Sequence, residues 1–190
     1  MDVILKPQDV LVALNLCRPK ATKCTYAEKA KALGMSASEV HAAEKRLCEA
    51  RLIDPDSKGV RRGPLLEFLV HGVPYAFAAT PKEWTRGMPT AWAAPALANQ
   101  FAQSDQPPPI WPDPEGKTQG VSVQPLYPSV TQVAGEDADL YDLLSLVDAL
   151  RIGRVREKKV AEDEIRNRLK PSINFKFVVI EICDVAPFTE

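Results

Sequence analysis

A mainly α fold is what this sequence predicts, and three observations predict it. Apolar residues recur at helical spacings of three and four in six separate stretches. Two of those stretches open on a Ser/Thr-x-x-Glu capping box, Thr25/Glu28 and Ser36/Glu39. Finally, 11 of the 17 prolines and all three tryptophans fall within residues 74–128, so the chain that cannot be helical is gathered in the middle.

Taken in order, residues 7–17 set Val10, Leu11 and Leu14 on one face. Pro7 suits the first turn, where its missing N–H is not needed, and Pro19 ends the pattern. Residues 25–33 form a second, short helix with Thr25 as N-cap and Ala27, Ala30 and Leu33 inside, and Gly34 supplies the residue tolerant of positive φ at its end. A third helix starts at Ser36 and turns Val40, Ala43 and Leu47 inward. Leu52 and Ile53 follow as a strand candidate. "DPDSKGVRR" then has turn chemistry, with room for an abbreviated hairpin before Gly63.

Residues 64–72 read as a helix between Pro64 and Gly72. "QPPPIWPDPEG", 106–116, must be extended or turn-like and lies over a surface or forms a loop. Helix returns at 137–150, where Leu140, Leu143, Leu144 and Val147 make a broad apolar stripe. That stripe either packs on a second copy or closes the chain's own core. A charged helix over 154–169 carries a thin apolar line of Val160, Ile165 and Leu169, and "FKFVVIEICDV", 175–185, reads as a strand. The expected layout is therefore a DNA-binding unit over 1–73, a Pro/Trp-rich connecting segment over 74–136, and a C-terminal helical assembly region with a terminal strand over 137–190.

Charge is uneven although the net is only −1. Residues 1–62 hold 12 Lys/Arg against 8 Asp/Glu, and residues 63–140 hold 3 against 8, so a basic third precedes an acidic middle. The sequence offers neither a membrane-spanning run nor a signal peptide, and none of the four cysteines has C-x-x-C spacing. Reduced thiols in a cytoplasmic protein are the expectation. Two histidines and the absence of any H-E-x-x-H, G-x-S-x-G, P-loop or dinucleotide fingerprint argue against an enzyme, a metal site or a cofactor.

The run "TYAEKAKALGMSASEVHAAEKRLCEARLI", 25–53, has the parts of a helix-turn-helix in order. They are a short Ala-rich helix, a glycine turn, and a capped second helix whose outer face carries small and polar residues. With its "ARLI" exit it resembles the winged helix-turn-helix regulators, especially the MarR-like bacterial repressors, over roughly the first third of the chain. The resemblance implies a dimeric, sequence-specific regulator of double-stranded DNA that sets the third helix in the major groove. Regulators of this layout often accompany toxin–antitoxin or defence operons. On that analogy Ser36 opens the recognition helix, and Ser38 and His41 meet base edges. Lys45 and Arg46 meet phosphate. Lys23, Thr25 and Tyr26 gather at a helix N-terminus that favours phosphate, and Lys58, Arg61 and Arg62 form the wing contact.

The alternative is a winged helix used only for protein contact, with the acidic or Pro-rich middle ("PPPIWP") or the 137–169 helices as the surface. The basic run "RIGRVREKK", 151–159, reads as a phosphate contact, an anionic partner's landing site or a solvated face. His71, Tyr75, Trp84, Arg86 and Trp92 either line a small pocket or anchor an irregular segment.

Overall fold

The computed structural model describes residues 4–18, 21–101 and 106–170. It is mainly helical with one small three-stranded sheet. The terminal strand expected over 175–185 lies outside the described residues.

Each of the six expected helices has a counterpart. Helix α1, Pro7–Leu16, is buried along almost its whole length, its polar Asp9 and Asn15 included. Helices α2, Tyr26–Leu33, and α3, Ala37–Glu49, close on it through Ala30, Leu33, Val40, Ala43 and Leu47. Burying each leucine contributes about 1.5–3 kcal/mol. Both capping boxes form: the Thr25 and Ser36 hydroxyls accept the N–H of Glu28 and Glu39, whose carboxylates accept the cap N–H in return. Gly34 ends α2 at φ 60°, against the side chain of Ser129, so a side chain there meets both strain and a neighbour. After α3 the chain turns back through a single antiparallel bridge, Ile53 to Val60. Asp54 ties its tip by accepting the Ser57 N–H and hydroxyl.

The helix expected to stop at Gly72 continues. Helix α4, Arg62–Glu67, runs through a widened π turn, Phe68–Gly72, into α5, Val73–Ala76. Pro74 explains the widening. It has no N–H to give to Val70, four residues back, and its ring would collide with that carbonyl.

Residues 74–136, expected as a connecting segment, supply the sheet and part of the core. Strand β1, Trp84–Pro89, pairs antiparallel with both β2, Pro109–Pro112, and β3, Thr118–Ser122, and the latter two pair parallel with each other. Gly87 permits the closure, because a Cβ there would lie 1.9 Å from the Trp111 carbonyl oxygen. A short helix α6, Pro95–Ala98, bridges β1 to β2, and α7, Val130–Glu136, follows β3.

Helix α8, Ala138–Ile152, is the central support of this half, and α9, Val155–Arg168, packs against it. Leu140, Leu143, Leu144 and Val147 are all buried within the chain and join one core with α1, α3 and Trp111. The stripe therefore closes the protein's own core, the second of the two alternatives its pattern left open. The sheet is held to α8 by polar contacts as well. The indole N–H of Trp111 and the hydroxyl of Thr90 donate to Asp148, 2.5 and 3.1 Å away, and Arg151 donates to its other oxygen at 2.5 Å. Burial pushes the Asp148 carboxyl up, while Arg151, Trp111 and Thr90 pull it back. Within "PPPIWP", Pro109, Ile110 and Trp111 are buried, while Pro107 and Pro112 stay exposed.

Candidate nucleic-acid interface

The packing of α3 decides which of its residues are free. Val40, Ala43 and Leu47 face α1 and α2, so the residues half a turn away, Ala37, Ser38, His41 and Lys45, are exposed. Tyr26 at the start of α2 reaches across to His41 in a T-shaped contact, ring centroids 5.2 Å apart. Lys58, held at φ 55° at the tip of the turn-back, comes to the same place. Tyr26, His41, Glu44, Lys45, Cys48 and Lys58 thus share one small pocket over the outer face of α3. Burial, then the charge of Glu44 and its hydrogen bond with the hydroxyl, push the Tyr26 phenol up.

Two of the acids on α3 are engaged from within the fold, Glu44 by a counter-charge and Glu39 by neutral donors that leave its charge in place. Glu44 is buried and accepts from Lys29 at 2.6 Å, an ion pair that ties α2 to α3. Glu39 caps the helix and accepts from the Tyr127 hydroxyl at 2.9 Å. Its carboxyl is held below the usual range by the Ser36 N–H and hydroxyl and by Tyr127. Tyr127 and Ser129, which donates to the Leu33 carbonyl, fasten the middle of the chain beside the α2–α3 turn without covering Ser38, His41 or Lys45.

The other sequence-derived site residues divide. Lys23 and Arg61 are exposed, Arg61 with one 3.3 Å bond to the Arg51 carbonyl. Thr25 and Ser36 are exposed as well, yet their hydroxyls are engaged in capping. Two expectations are corrected. Arg46, expected at phosphate, turns inward and makes two bonds to Asp9, at 2.8 and 2.5 Å. Arg62, expected in the wing contact, points to the other end of the core. It donates to the carbonyls of Cys17 and Leu169 at 2.9 and 3.0 Å. Both guanidiniums were drawn to buried acceptors remote in sequence, where an unpaired acceptor is costly.

Sequence reasoning missed two contributors. Arg51 is exposed at φ 61° just beyond α3, adding a cation, and Cys48 lines the pocket below Lys58. The signal for Arg51 was its place in the "ARLI" exit. The aromatic residues of 71–95 do not converge: Tyr75 and Arg86 line separate surface depressions.

No family model, curated protein or solved structure matches the chain. Among the described residues no helix is long and apolar enough to cross a membrane.

Proposed function

We propose that the α1–α3 unit and its short turn-back work as a winged helix-turn-helix of the MarR-like kind, binding double-stranded DNA as a transcriptional regulator, most simply a repressor. The observation that carries this reading is the exposed outer face of α3. Ser38 is exposed, His41 and Lys45 line one pocket with Lys58, and Glu39 and Glu44 are already engaged by the fold. Ser38 and His41 supply groups for base edges, and Lys45, Lys58, Arg51 and Arg61 supply charge for phosphates. A homodimer on two half-sites about one DNA turn apart belongs to the same reading. Its contact is made by surfaces other than the α8 stripe.

A winged helix used only for protein contact is the second reading. The exposed Asp56 and half-buried Asp54 at the tip of the turn-back favour it, because both would face phosphate. Fluorescence anisotropy against the upstream region of the protein's own gene, at two salt concentrations, separates the two. The DNA reading expects preference over random duplex and affinity that falls steeply with salt as counterions are released. Equal affinity for both duplexes, or none, overturns it.

A further inference from the structure

The two most exposed large hydrophobic residues of the described chain, Val155 at 87% and Tyr75 at 83%, lie at one depression. Val155 opens α9, and Tyr75 ends the rod that the π turn reshapes. Between them is a cavity of about 300 Å³, walled by Val70 and Pro74 and floored by the buried Leu150. The widened turn at Phe68–Gly72 is part of how this hollow forms, since Val70 sits on it. Such turns recur at functional sites.

The rim is basic. Lys158 has no ion-pair partner among the described residues, and Lys159 has only the exposed Asp163, 3.2 Å away. The one acid lining the depression, Glu162, is engaged by Arg166 at 2.8 Å. These lysines belong to the run 151–159, which the α3 face does not use, and the two surfaces share no residue.

We infer that this depression docks an acidic segment of another protein, one apolar side chain entering the hollow and its flanking carboxylates meeting Lys158 and Lys159. The hollow takes an anchor residue, and the rim selects its charge. A second copy would set two surfaces of the same sign against each other. A lipid surface would call for a protruding apolar wedge, where this surface is concave. The inference stands independently of the DNA reading.

The test uses the full-length, 15N-labelled chain and a synthetic amphipathic peptide with leucines on one helical face and glutamates on the other. A counterpart with lysine for glutamate is the control. Binding of the acidic peptide should shift the amide signals of Val70, Tyr75, Val155 and Lys158. Val155→Glu should weaken it about tenfold or more, and so should the double variant Lys158→Glu/Lys159→Glu. Val155 and Lys159 are exposed and Lys158 is half-buried without an ion pair among the described residues, so both variants should keep the parent melting temperature, and Tyr75→Ser gives a third check. The proposal is overturned by absent binding, by shifts elsewhere, or by equal binding of the lysine peptide. It is also overturned if anionic phosphatidylserine vesicles bind through this surface in the peptide's place. A concentration-dependent doubling of mass abolished by Val155→Glu would assign the surface to a second copy instead.

Discussion

Arg46 grips Asp9 with two hydrogen bonds, locking the last turn of α3 to the first turn of α1. Asp9 is 1% exposed at its side chain and also accepts the Lys6 backbone N–H at 2.8 Å. Removing the guanidinium leaves a buried carboxylate without its counter-charge. Arg46→Ala should therefore cost about 3–5 kcal/mol in urea unfolding. Arg46→Lys should recover only part of this, because a point charge cannot supply the fork. A loss below about 1 kcal/mol, the range of surface pairs, would show that the contact is not structural.

Arg62 separates stability from DNA affinity. Arg62→Ala strips donors from the carbonyls of Cys17 and Leu169 and should lower stability by about 1–3 kcal/mol. Affinity for DNA per folded molecule should stay at the parent value. A selective loss of affinity, with the melting temperature unchanged, would return this arginine to the interface.

His41 and Lys58 should fail differently. His41→Ala is expected to narrow the gap between specific and random duplex, by about 1–3 kcal/mol if it makes a base-edge contact. Lys58→Ala should weaken all duplexes alike and lower the salt slope by about one. Anisotropy titrations at several salt concentrations measure both. Identical profiles for the two variants would refute the assignment of roles on α3.

The leucines of α8 offer a test of where their stripe is spent. Leu144→Asp puts a carboxylate into a fully packed site, so a loss of cooperative unfolding is expected. Recovery of a well-folded protein of half the parent mass would show instead that the stripe faces a second copy.

Acid should loosen the caps of α2 and α3. The Thr25 N–H and hydroxyl hold the Glu28 carboxyl below its ordinary 4.5, and the Ser36 N–H and hydroxyl with Tyr127 do the same for Glu39. A carboxylate lowered in the folded state contributes stability that is fully present above the ordinary value. That contribution is lost as pH falls through the lowered one. Protection of the first turns of α2 and α3 against amide exchange, relative to the intrinsic rate at each pH, should therefore fall below about pH 4. Glu28→Gln and Glu39→Gln should abolish that dependence. An unchanged profile in the double variant would assign it to other carboxylates.

The helices were legible because their determinants are local. Thr25, Ser36 and Gly34 fix ends within three residues of themselves, and the helical periodicity of Val40, Ala43 and Leu47 needs no partner to be seen. The sheet was hidden because Pro89, Pro109 and Pro112 occupy its strands, against the ordinary preference of such positions. What holds it is remote: Trp111 finds Asp148 37 residues on. The outward residues of α3 followed from its inward ones. The fates of Arg46 and Arg62 did not, since their acceptors lie 37 and as many as 107 positions away. Helix α7 carries only Val130, Val133 and Ala134 as a buried pattern, too short to stand out in the sequence.

The make-up of β1, β2 and β3 also limits how this protein can meet others. Each strand bonds to the other two, but only Gly87, Ile110 and Val121 pair on both sides. Pro89, Pro109 and Pro112 remove backbone donors from β1 and β2, which makes these strands poor templates for a foreign strand or for edge-to-edge aggregation. Contacts with a nucleic acid or a partner then fall to side chains on helices and turns, which ties specificity to individual residues that single substitutions can test.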